Sequence, residues 1–328
     1  MKWNIGRVAL LAFALLGLGS GAARAEFDFD AKYAGDYISG QSSARLLALG
    51  GAGAAIATGP ASVLGNAALM HHDPGQSLSL MHADRFESAV KVDYASYIRR
   101  TSESSAIGFG LVRRGVDDIP VTSLRDRSQP IDPQNRPYIA NWTSASEYAF
   151  LLALSSERSW GSIGWSAKLL YKRLDTRDGF GLGMDLGYAK QWGGLIVGAQ
   201  LRDAITSVIA WERGRQESIK PTLRAGTAYL LPWDRMNAVL MPVAEVEVRS
   251  EALGTKDAVA FRGGLEYTIR KIVSARIGIE QITYDQVELT YGAGASIGPV
   301  VLDYAFVGHE DLGATHRISL GYRWGASR

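Results

Sequence analysis

With 328 residues, a formal net charge of +2, 47% hydrophobic and 21% charged residues, the chain could form one large domain or two ordinary ones. It is too evenly charged for a nucleic-acid binder. It has no cysteine, which excludes disulfides, thiolate metal sites and a lipidated cysteine anchor.

The first predicted element is an export signal. Lys2 and Arg7 supply positive charge, an apolar run extends from Val8 to Leu18, and Ala23-Arg24-Ala25 fits a small-residue cleavage site. Residues 1–25 are therefore expected to be removed, leaving a mature chain that starts near Glu26. The run is short for a spanning helix, and later apolar runs are broken by charge or glycine every few residues. A membrane protein of this kind has to be a closed barrel, because lipid leaves backbone groups no other partners.

Residues 26–75 do not alternate. They hold the Gly/Ala-rich stretch from Leu46 to Ala57, then Gly59-Pro60, then Ala61 to Met70, and Pro60 suits the first turn of a short helix. Small residues allow close backbone packing, so this segment is expected to enter the barrel as a plug or hatch, with Gly50, Gly51, Gly53 and Asn66 as plug or gating residues. A phosphate-binding loop would need a preceding apolar strand and a Lys-Ser/Thr pair after the glycines, and neither is present.

From Gln76 to the end, residues 76–328, the sequence reads as strands of period two, which predicts an all-β fold, a transmembrane antiparallel β-barrel of about fourteen strands. Val273, Ala275, Ile277 and Ile279 form one face of a run whose other face is Ser274, Arg276, Gly278 and Glu280. The expected runs are 76–83, 87–99, 104–113, 144–155, 160–172, 179–190, 193–202, 218–230, 238–249, 257–268, 271–281, 285–296, 299–307 and 314–324. Short turns alternate with longer connections such as 114–143, 173–178 and 203–217, the pattern of periplasmic turns and outer loops. Trp160, Trp192, Trp233 and Trp324 fall at the turn side, Trp142 and Trp211 at the other, as two interfacial girdles require.

Parity places Lys91, Asp93, Lys168, Asp185, Arg224, Glu245, Glu247 and Arg317 inside. It also places there Arg262, Glu266, Arg276, Glu280, Glu288 and Asp303, which are expected to form ion pairs across the lumen. No obvious apolar stripe interrupts these charges. No metal, cofactor or catalytic residue is assigned. His71-His72-Asp73 has no further ligand at suggestive spacing, His309-Glu310-Asp311 is expected in an outer hairpin turn, and no nucleophile motif is present.

Arg45, Gly50-Gly51-Ala52-Gly53, Ala57, Ala61-Ser62 and Asn66-Ala67-Ala68, together with the stretch from Leu302 to Leu320, resemble the PorV/PorQ branch of the FadL-like barrels. The family's Asn-Pro-Ala turn has Ala67 in place of proline here. The resemblance implies a fourteen-stranded outer-membrane barrel with an N-terminal plug. It implies two alternative roles: passive uptake of small hydrophobic molecules, or a shuttle that holds secreted protein cargo on outer loops 114–143 and 203–217. Expected partners are outer-membrane lipid and either such a ligand or such a cargo, and no nucleic acid.

Overall fold

The computed structural model describes residues 26–28, 43–73, 75–212, 215–309 and 312–325; the expected export signal at 1–25 lies outside them. Fourteen strands make the wall: β1 Gln76–Arg85, β2 Val90–Ser102, β3 Ser105–Ser123, β4 Tyr138–Arg158, β5 Gly161–Leu174, β6 Arg177–Trp192, β7 Leu195–Arg202, β8 Thr222–Tyr229, β9 Ala238–Arg249, β10 Val259–Ile269, β11 Val273–Thr283, β12 Gln286–Ile297, β13 Val300–His309 and β14 Gly313–Trp324. Each pairs antiparallel with the next, and β14 returns to β1 with Leu320 opposite Leu80, which closes the sheet and leaves no edge. Among the described residues no helix is long and apolar enough to cross a membrane.

Both ends of the wall, Gln76 and Trp324, lie at one rim, here the turn end. The opposite rim is the loop end. Alternation along the strands gives an outer belt of exposed apolar side chains, such as Val273, Ile277 and Ile279 on β11, over buried Arg276 and Gly278. Aromatic pairs mark the turn-end border: Trp160 with Tyr188 at 6.0 Å between rings, Tyr97 with Trp324 at 6.1 Å and Trp233 with Tyr267 at 6.4 Å.

Four expectations change. First, Lys91 and Asp93 face outward, because β2 turns Val92, Tyr94, Ser96 and Ile98 to the interior, where an apolar inner segment receives them. Second, the supposed loop 114–143 is mostly strand: β3 and β4 stay paired as far as Ser123 opposite Tyr138, rise past their neighbours as a two-stranded arm, and leave only 124–137 as loop. Asn135 holds that tip by donating from Nδ2 to the Asp126, Gln129 and Pro130 carbonyls. The connection at 173–178 likewise shrinks to a turn at 175–176. Third, Trp211 leaves the outer girdle. It lies on a hairpin, Ser207–Trp211 and Arg215–Ile219, that extends the sheet between β7 and β8 and packs the indole onto the interior apolar cluster. The hairpin also pairs in parallel with Glu26–Asp28. Fourth, His309 ends β13 facing inward.

Residues 43–73 run through the interior, nearly all buried. Helix α1, Ala44–Leu47, starts at Ser43, whose side chain accepts from the Leu46 N–H. Two 3-10 turns follow, Gly59–Val63 with Pro60 in its first turn and Ala67–His72 capped by Asn66.

Candidate functional site: the barrel interior

The interior has two unlike halves. On β2 to β5 the inner face carries an apolar patch, Val92, Tyr94, Ile98, Val112, Leu151 and Leu170, packed against Val63, Leu64 and Met70 of the inner segment, with Ser162, Ser166, Lys168 and Lys172 of β5 at its border. The lumen therefore does carry the apolar stripe that parity failed to show. Small wall residues let the inner segment approach: a Cβ on Gly198 would lie 1.9 Å from the Ala54 carbonyl oxygen. Gly50, at φ 69°, could carry no Cβ either, since it would meet the Ile279 carbonyl at 2.0 Å.

On β8 to β14 the inner face is ionic. Arg276 lies 2.6 Å from Glu266 and 2.7 Å from Asp303, while Arg262 lies 3.1 Å from Glu280 and 2.6 Å from Glu247. Glu288 pairs instead with His309, at 2.5 Å. The inner segment joins this network. Arg45 meets Glu266 at 2.8 Å. Glu245 accepts from the Gly53 and Ala54 N–H groups at 2.7 Å each and from Arg224 Nε at 2.6 Å, while Arg224 donates to the Gly51 carbonyl at 2.6 Å. Asn66 donates from Nδ2 to the carbonyls of Ala54, at 2.6 Å, and of Tyr188 in the wall, at 3.0 Å. Gly50, Gly51, Gly53 and Asn66 thus all sit at contacts between inner segment and wall. The roles of Arg45 and Asp203 were missed. Asp203, placed in a loop by sequence, joins Asp185 around the buried Lys168 at 2.5 and 2.7 Å, where the wall is interrupted between Arg202 and Ser207.

Two cavities flank the inner segment. One of about 380 Å³ opens at the loop end above Leu47 and Gly51, beside Arg85, Phe86, Arg262 and Arg317. The other, about 240 Å³, lies at the turn end beside Arg45, Ser77, Ser274 and Asp303. The segment that separates them is held by ion pairs on one side and by apolar contacts on the other.

At His71 the neighbouring groups are not in the order of a hydrolytic triad. Ser162 Oγ and a Glu157 oxygen approach the same His71 nitrogen, Nε2, at 3.1 and 3.9 Å, while Nδ1 faces the Ala68 carbonyl at 2.9 Å. A triad needs the acid on the nitrogen away from the serine. Among the described residues no group of three or more His, Asp or Glu is arranged to hold a metal.

No protein-family model and no curated protein matches the sequence. Solved structures do match in shape. The Ralstonia pickettii toluene transporter TbuX superposes with a TM-score of 0.61 at 14% identity, over 86% of this chain and 98% of that one. The P. putida toluene transporter TodX gives 0.58 at 13% identity, over 87% and 99%. The chain has the barrel fold of these two transporters. With its apolar belt and girdles, the barrel belongs in the outer membrane of a Gram-negative-type bacterium. These likenesses are to the fold and single out no branch of it.

Proposed function

We propose that this barrel is a passive channel for small hydrophobic molecules, with residues 43–73 as its plug and no catalytic step. The observation that carries the reading is the apolar seam between Val63, Leu64 and Met70 and the inner faces of β2 to β5. An apolar solute displaced from water into that seam keeps its environment along the wall, whereas the ionic half holds the plug by its other flank. Trp211 and Phe86 border the seam towards the loop end. TbuX and TodX, which share the fold, are toluene transporters, and that supports an apolar cargo. The secretion-shuttle alternative gains no such support.

The test is a reversible lock. A Cβ on Gly110 would lie 3.0 Å from a Val63 methyl, so the Val63→Cys/Gly110→Cys pair, in a chain without native cysteine, places two thiols within bonding reach. Oxidised cells should lose uptake of a radiolabelled monoaromatic hydrocarbon and regain it on reduction. Uptake that is equal in the locked and reduced states, or equal in cells with and without the barrel, would sink the reading.

A further inference from the structure

A second cluster lies on the outside of the wall and has no part in the uptake reading. On β14, β1, β2 and β3 the outward side chains include His316, Asp84, His82, Lys91, Asp93 and Arg113. His82 Nδ1 lies 2.8 Å from Asp93 and its Nε2 lies 3.5 Å from Asp84; Arg113 reaches Asp93 at 3.2 Å, and Lys91 reaches Asp117 at 3.6 Å. Most are about half exposed, His82 at 52% and Asp93 at 44% of the side chain, and Arg113 about a third.

His82, Asp93 and Arg113 sit within the apolar belt, with Lys91 and Asp117 towards its loop-end border. One row of cross-strand partners runs from Tyr148 through Arg113, Asp93 and His82 and continues over five more strands to Tyr267, at the turn-end girdle. His82 also lies four residues beyond Leu78, which faces Tyr97 of the same girdle. With a rise of about 3.3 Å per residue and a tilt of about 40°, that is about 10 Å into an apolar band about 25 Å tall. Ionisable groups facing lipid at such depth are disfavoured unless something polar covers them.

The balance of signs selects the cover. Lys91 and Arg113 stand against Asp84, Asp93 and Asp117, so an anionic lipid headgroup meets as much repulsion as attraction. A patch with both signs is complementary to itself when turned by a two-fold axis. Next to it Ala95, between Leu80 and Leu111, leaves room for another wall to approach. We propose that this face joins two copies of the barrel side by side in the membrane, cluster against cluster.

Because the chain has no cysteine, a single Ala95→Cys substitution reports the contact. Oxidation in native outer membranes should convert more than half of the protein to a covalent dimer. The same change at Ala244, which faces outward on β9 across the barrel, should give little. Adding Asp93→Arg should cut the dimer at least five-fold, and mixing Asp93→Arg chains with Arg113→Asp chains should restore it. Heat-modifiable gel migration shows which variants are folded, and Asp93→Asn serves where Asp93→Arg is not. Ala95→Cys protein that stays monomeric, cross-linking that is equal at Ala244, dimer yield unchanged by Asp93→Arg or Asp93→Asn, or a monomer that retains outer-leaflet lipid in native mass spectrometry would each overturn the proposal.

Discussion

Arg45 on the inner segment and Glu266 on β10 meet in a two-pronged ion pair, with Nε 2.8 Å from one carboxylate oxygen and a terminal nitrogen 2.9 Å from the other. Glu266 also holds Arg276 at 2.6 Å. Loss of Arg45 leaves the carboxylate one cation, whereas loss of Glu266 leaves two guanidiniums facing each other. Glu266→Ala is therefore expected to destabilise the barrel by about 2–4 kcal/mol, and the partly exposed Arg45→Ala by about 1 kcal/mol. Thermal unfolding in detergent measures both, and equal losses would contradict the shared-carboxylate account.

Glu245 is buried and caps two backbone N–H groups of the inner segment while neutralising Arg224. Glu245→Ala leaves the buried Arg224 guanidinium with Glu247, at 3.4 Å, as its remaining carboxylate and strands two N–H donors, at about 2–4 kcal/mol. Glu245→Gln retains an acceptor oxygen and should lose less. Hydrogen exchange of residues 50–57 should accelerate in the order Ala, Gln, wild type, fastest first.

Gly198→Ala places a methyl group against the Ala54 carbonyl. Overpacking of this kind costs about 1–3 kcal/mol, and the flexible partner is the segment, not the hydrogen-bonded wall. Gel migration of the folded barrel should persist while protease sensitivity rises within 43–73. A variant that simply fails to fold would show that wall and segment form as one unit.

His71 sits at the turn end of the inner segment between the Ala68 carbonyl and Ser162. Burial pushes its pKa below the ordinary imidazole value, against the pull of Glu157. The folded state thus prefers neutral His71, so its contribution is complete above about pH 6.5 and fades as the medium acidifies through that value. Exchange protection of 67–73 should fall between pH 7.5 and 5.5 in the wild type, and His71→Gln should flatten the profile.

Alternation made the strand number and the ionic face of β9 to β14 legible, since lipid and lumen impose opposite polarity on successive residues. Where the interior is filled by protein, that contrast fails. On β2 the inner residues Val92, Tyr94 and Ile98 are apolar for the sake of the inner segment, and parity assigned Lys91 and Asp93 to the wrong side. Pairing of β3 and β4 beyond the belt has no apolar stripe to announce it, so Val116 to Ser123 read as loop. The inner glycines carried an unused signal: Gly198, Gly264, Gly278 and Gly292 fall at lumen-facing positions where a side chain would strike residues 48–55. Arg45 was visible as a residue, but its partner lies 221 positions away.

The seam where β14 meets β1 can form only after the last strand has been made. Residues 43–73 already touch both sides of it: the Ala44 N–H donates to Ser319 on β14, and Ser77 on β1 donates its hydroxyl to the Asp73 carboxylate. Once shut, the ring offers no sideways entry to a chain that crosses it so closely. A stretch seated there while the sheet curls would serve as a mandrel, holding the final strand near the first until the two pair.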